Sequence, residues 1–315
     1  MKKRIWMLAL LGLMLAGYAA LAETDAYHFR VDESSAIPIS VRIALSRAQS
    51  PKSASLRSAS LKVRSHVALI YDEQTQRPLY NKNGKAVMPI ASITKLMTAM
   101  VLLDAHLPMD EEVSVEEDDL NSIKRARSRM PVGMTLTRGD MLRIALMASE
   151  NRAALALARS YPGGQDALVA AMNAKARALG MDDTRFFEPT GLDSDNVSTA
   201  QDLVKMVAAA RNYPLITQYT TTVSHSVDSS LNGRTMRFSN TNPLVRSASW
   251  DIGLSKTGFI NEAGKCLVMQ ATINHRPVII VLLDSWGRRT RIGDANRIKR
   301  WMERADALDR SARRG

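Results

Sequence analysis

The chain has 315 residues, of which 45% are hydrophobic and 5% aromatic, and its net charge is +12. That length can bury a sizeable core in one large domain or two coupled subdomains. The charge points to an anionic partner such as cell wall, outer-membrane lipid or nucleic acid, while so few aromatic residues argue against a stacking platform for single-stranded nucleic acid.

Met1-Lys2-Lys3-Arg4 is basic, Ile5 to Ala20 is apolar and uncharged, and Ala20-Leu21-Ala22 places small residues where a signal peptidase reads. Residues 1–22 therefore read as a signal peptide cleaved before Glu23. The apolar run is shorter than the ~20 residues of a membrane span, and no cysteine follows it for lipid attachment. Residues 23–61 are Ser-rich with dispersed Arg and Lys, and are expected to be a partly disordered extension.

Order is expected from residue 62. His66 to Tyr71 and Pro78 to Asn81 read as a hairpin around the turn Asp72–Gln76. Next comes "PIASITKLMTAM", residues 89–100, where Ile93, Leu96, Met97 and Met100 recur at helical spacing. Ser92 suits a helix N-terminus. Three residues on, a carboxylate would suit the dipole and Lys95 does not, at a cost of ~0.3–1 kcal/mol. Thr137 to Asp140 resembles a capping box for a helix carrying Met141, Leu142, Ile144 and Ala145. Further helices are expected over 151–159, 165–179 and 199–211. The period then changes. Ile252 to Thr257, Lys265 to Ile273 and Pro277 to Leu283 read as three consecutive strands, followed by a helix from Arg289 to about Asp306 and a basic tail over 306–315. Two early strands and three late ones predict an α+β fold: one antiparallel sheet of about five strands, flanked by helices, with a helical subdomain (about 106–220) inserted after the first hairpin and helix. A site in the cleft between the halves is expected.

Three short stretches can carry chemistry. A three-residue spacing on a helix puts Ser92 and Lys95 on one face. A serine hydroxyl needs a base, and lysine is one only when neutral, so its pKa must fall from ~10.4 towards ~7–8. Burial, a second cation and the positive helix terminus all push that way, which makes the awkward cation useful to a base. A plain helix start remains open. Ser149-Glu150-Asn151 can relay a proton through its hydroxyl and bind a peptide through its carboxamide, or be an ordinary interhelical turn. Lys256-Thr257-Gly258 can supply positive potential, which would also depress Lys95, a hydroxyl for a carboxylate, and close approach of a substrate backbone; a solvated edge-strand lysine is the plain alternative. The five histidines lack metal-ligand spacing, and the lone Cys266 reads as a small buried residue. No metal or cofactor is expected.

Taken together and in this order, S-x-x-K, S-x-N and K-T-G form a known signature. The sequence resembles the serine DD-peptidases of the penicillin-binding superfamily. The stretches "FFEPTGLDSDNVSTAQDL", "NTNPL" and "LSKTGFINEAGKCLVM" look most like the D-alanyl-D-alanine endopeptidases of its type-7 class. The resemblance covers residues 62–305 and implies a periplasmic enzyme that cuts D-alanyl–diaminopimelate cross-links of peptidoglycan and is acylated by β-lactams. It implies Ser92 as nucleophile, Lys95 as base, and Ser149 with Lys256 as proton relay. Asn151 would hold the acyl chain and Thr257, beside Gly258, the carboxylate end of the substrate. The N–H groups of Ser92 and Phe259 would form an oxyanion hole. Glu188 is expected to anchor a loop rather than to deacylate. The alternatives are a DD-carboxypeptidase, a β-lactamase and a catalytically silent wall-binding protein. The absence of a β-rich domain and membrane tail after the last helix favours the endopeptidase over the carboxypeptidase.

Overall fold

The computed structural model describes residues 60–121, 128–287 and 289–312. The signal-peptide reading and nearly all of the extension lie outside them. Among the described residues, no helix is long and apolar enough to cross a membrane.

The hairpin forms as β1 (Val67–Asp72) and β2 (Arg77–Lys82). A two-residue β3 (Met88–Pro89) leads into a 3-10 turn at Ala91–Thr94, and α1 runs over Lys95–Asp104. The late strands are β9 (Asp251–Ile260), β10 (Gly264–Ile273) and β11 (Arg276–Ser285), joined by tight turns. Between the two groups lie short β4 (Glu112–Ser114), α2 (Asp118–Asn121) and β5 (Thr135–Thr137). Helices α3 (Arg138–Met147), α4 (Asn151–Arg159) and α5 (Gly164–Ala178) follow, then β6 (Val197–Ser198), α6 (Ala200–Ala210) and α7 (Pro214–Thr221). A second hairpin, β7 (Ser224–Asp228) with β8 (Thr235–Ser239), precedes β9.

The sheet order is β2-β1-β11-β10-β9, antiparallel throughout. Strand β11, from the end of the chain, sits between β1 and β10 and joins the two groups. Alternation along the strands divides two cores. Val67, Leu69, Val268, Ile279, Val281 and Leu283 face the helical side. Their neighbours Ala68, Ile70, Leu267, Met269, Ile280 and Leu282 face the other. There the last helix, α8 (Thr290–Ala312), lays down Ala295, Ile298, Trp301, Met302 and Ala305. It runs past the Asp306 expected from sequence, so residues 306–312 are helical and not a tail.

On the helical side α1 is apolar nearly all round and buried from Lys95 to Leu102, as a helix enclosed by others must be. It packs on α3, α4, α5 and α6, while the 3-10 turn lies against β9 and β10. The start of α1 is thereby fixed against the edge strand. Thr137 and Thr199 cap α3 and α6 by accepting the N–H of Asp140 and Asp202, the geometry their spacing suggests.

Candidate active site

Ser92 is not the cap of a long helix. It sits inside the 3-10 turn, and Lys95 is the first α-helical residue. The cause is Ala91, whose φ of +48° is left-handed. That conformation costs a residue with a Cβ ~1–3 kcal/mol and is held from outside. Gly191, at φ +79°, presses so closely that a Cβ there would lie 1.9 Å from the carbonyl oxygen of Ala91.

Lys95 is 1% exposed. Its Nζ donates to Ser92 Oγ at 3.1 Å, to Asn151 Oδ1 at 2.7 Å and to the carbonyl oxygen of Thr190 at 2.7 Å. Burial lowers its pKa to about 8, against the pull of Glu188 and Glu150. Lys256, on β9 and also 1% exposed, donates to Ser149 Oγ at 2.8 Å and to the carbonyl oxygen of Thr257 at 2.9 Å. Burial, reinforced by Lys95 and Arg291, pushes its pKa well below the ordinary lysine range. The expected solvated edge lysine is therefore excluded. The two ammonium groups disfavour each other's charge, and their other neighbours differ: Arg291 acts on Lys256, whereas Glu188 and Glu150 act on Lys95.

Ser149 follows α3 at φ +59°, which brings its hydroxyl to Lys256 while Asn151, opening α4, reaches Lys95. Glu150 caps α4 by accepting the N–H of Arg152. Gly258 also accommodates a close approach within the chain itself. A Cβ there would meet the carbonyl oxygen of Ile90 at 2.9 Å and the amide nitrogen of Ser92 at 3.1 Å. The backbone it admits is the protein's own nucleophile turn. One consequence is that the Ser92 amide is seated beside the strand that carries Phe259, whose side chain is 53% exposed with Lys265 Nζ over its ring at 3.9 Å.

Several supporting contacts gave no signal in the sequence reading. Thr190 contributes only a backbone oxygen. Thr241 Oγ1 lies 2.6 Å from Thr257 Oγ1, and Asn242 Nδ2 donates to Ser255 Oγ at 2.8 Å; both belong to the "NTNPL" stretch, which signalled resemblance without a role. Arg291 Nη1 donates to the carbonyl oxygens of Gly258 at 2.7 Å and Cys266 at 3.0 Å, tying β9 to α8. Glu188 accepts the N–H groups of Thr190, Gly191 and Leu192 and the carboxamide of Asn196. It shapes the loop that delivers the Thr190 oxygen to Lys95. Cys266 is buried, and burial pushes its thiol up to about 11.

Two hydrogen-bonded clusters thus meet, Ser92–Lys95–Asn151 and Ser149–Lys256–Thr257. Residues 52–287 match the family model for D-alanyl-D-alanine carboxypeptidase, peptidase family S11. The chain belongs to this family. It is a serine peptidase of the S11 fold, and S11 members among its relatives carry both endopeptidase and carboxypeptidase names. It is similar to the D-alanyl-D-alanine endopeptidase of Pseudomonas aeruginosa, 52% identical over 236 residues that cover 75% of this chain and 76% of that one. The D-alanyl-D-alanine endopeptidase of Escherichia coli is 50% identical over the same shares of both chains. Among solved structures, the DD-transpeptidase of Streptomyces K15 superimposes with a TM-score of 0.71 at 28% identity, over 76% of this chain and 97% of that one.

Proposed function

We propose that this S11 peptidase is a periplasmic D-alanyl-D-alanine endopeptidase that opens D-alanyl–diaminopimelate cross-links of peptidoglycan. Residues 1–22 are its signal peptide, residues 23–61 an extension, and residues 62–305 its catalytic domain. Ser92 Oγ attacks the D-alanyl carbonyl and loses its proton to Lys95 Nζ. The new bond is Ser92 Oγ–C, and the C–N bond of the cross-link breaks. Ser149, backed by Lys256, passes a proton to the departing amine. Asn151 holds the acyl chain, and Thr257 meets the carboxylate side of the substrate. The Ser92 and Phe259 N–H groups stabilise the oxyanion, each worth ~3–4 kcal/mol. Water then attacks the acyl carbonyl after giving a proton to Lys95 Nζ, the Ser92 Oγ–C bond breaks, the D-alanyl carboxylate leaves and Oγ takes the proton back. β-Lactams acylate the same oxygen.

The observation that carries this reading is the Lys95 Nζ contact with Ser92 Oγ at 3.1 Å, made by an amine whose pKa burial lowers to about 8. A lysine so placed is close to the proton it must remove and close to neutrality at working pH. The endopeptidase names of relatives 50–52% identical support the cross-link as substrate. The family description favours terminal D-alanine instead, so both substrates must be tested. Mass spectrometry of penicillin-treated protein should show one stable adduct on Ser92. Cross-linked dimeric muropeptides should fall to monomers; shortening of pentapeptides alone would leave a carboxypeptidase, and no adduct would remove the mechanism.

A further inference from the structure

On the side of the sheet away from the site, α8 and the first described residues line an open pocket of about 480 Å³. Leu61 and Trp301 line its apolar part, and Lys62, Arg297, Arg300 and Arg304 its charged part. Residues 297, 300 and 304 share one face of α8 by their spacing. Lys62, Arg300 and Arg304 are exposed, whereas Arg297 is half-buried and donates through Nε to Asp294 Oδ1 at 3.0 Å. Asp294 is itself buried and accepts the N–H of Ser65 at 2.7 Å. The two walls of the cavity are therefore tied together at its base. Among the described residues that line it there is no carboxylate. Trp301 is packed edge-on to Tyr80, centroids 6.4 Å apart at 70°, so the apolar floor is fixed.

Arg297 is already paired with Asp294, and the three remaining cations, Lys62, Arg300 and Arg304, stand exposed around the mouth where an anion would join them. Guanidinium groups match the geometry of phosphate oxygens. The walls fit a phosphate ester whose alcohol part is a sugar or glycerol resting on Leu61, above the buried Trp301. Arg291, which holds the site strand, lies on the same helix; at 1.5 Å per residue Arg300 is ~14 Å and Arg304 ~20 Å farther along the axis. The cavity is separate from the catalytic clusters. We propose that it is a phosphate-ester binding site, used either for a soluble phosphosugar or for the headgroup of an anionic lipid.

The test uses the full exported chain, wild type and the double variant Arg300→Glu/Arg304→Glu. The probes are glucosamine 1-phosphate by calorimetry and vesicles of phosphatidylcholine with or without phosphatidylglycerol by sedimentation. Wild type should bind at least one phosphate probe, ignore pure phosphatidylcholine, and lose affinity as salt rises. The double variant should bind at least ~10-fold more weakly and still be acylated by penicillin at the wild-type rate. Lys62→Glu, on the opposite wall, should weaken the same probe. Saturable binding of the phosphosugar assigns the soluble source, and binding to the anionic vesicles alone assigns the headgroup. Affinity for neither probe, or affinity unchanged in both variants, overturns the proposal.

Discussion

Lys95 and Lys256 are buried to the same depth, at 1% exposure each, in neighbouring parts of one site, yet their surroundings differ. Lys95 starts a helix within the field of Glu188 and Glu150, and three oxygens accept its hydrogen bonds. Lys256 lies on an edge strand within the field of two cations, and a hydroxyl and a carbonyl accept from it. Burial drives both towards the neutral amine, and the neighbouring charges then separate them. Lys95 keeps a pKa of about 8, which suits the proposed role of base towards Ser92. Lys256 is short of negative charge, which an anionic substrate end at Thr257 would supply. Among the described residues, carboxylates act on Lys95 and cations on Lys256, which fits the two different tasks proposed for one residue type.

The comparison is tested most severely at its centre. Ser92→Ala should abolish both the penicillin adduct and muropeptide cleavage, a loss of at least ~10⁴-fold; retained hydrolysis would remove the nucleophile from the account. Lys95→Met should slow acylation by ~10³–10⁴-fold, at the upper end of what a general base supplies. In the wild-type enzyme kcat/KM should rise with pH through about 8 and level off above it, because the deprotonated amine is the active form. Lys256→Met should cost less, ~10²-fold, and mainly in KM for substrates with a free carboxylate. Equal losses at the two lysines would erase the distinction drawn between them.

Gly258→Ala tests how the two regions are joined. The new Cβ would meet Ile90 and Ser92 at 2.9 and 3.1 Å and must move the nucleophile turn. A displacement approaching 1 Å costs ~10²-fold in rate, with a smaller destabilisation of ~1–3 kcal/mol for the overpacking. Steady-state kinetics and thermal melts of the same sample separate the two effects. The smallest expected change belongs to Glu150→Gln. It removes a carboxylate that raises the Lys95 pKa, so the acid limb of the rate profile should move to lower pH with little change in the plateau. A limb that stays still would mean that Glu150 does not act through Lys95.

The linkage to stability follows from the same shift. The folded Lys95 pKa lies below the unfolded value, so between about 8 and the ordinary lysine range the unfolded chain holds more of this proton. The contribution of this group to stability therefore rises with pH across that window. A better base at position 95 is made at the expense of stability at neutral pH.

Much of this protein was legible in its residue pattern. Period-two runs marked the strands of the sheet, and period-3.6 runs marked α1, α3, α4, α5 and α6, because burial of one face imposes those repeats. The polar triplets singled out the residues that meet in the site. Tertiary structure alone decided the rest. The left-handed Ala91 and the glycine pressed on it at position 191 carry no local signature, since strain is set by what packs from outside. The carbonyl of Thr190 is a backbone group and has no side-chain signal. The purpose of Gly258 depended on which backbone approaches it. The surroundings of the two lysines depended on Glu188, Glu150 and Arg291, which are distant in sequence from the lysines they influence. Charges act through space, so their effect could be read only once the fold had set the distances.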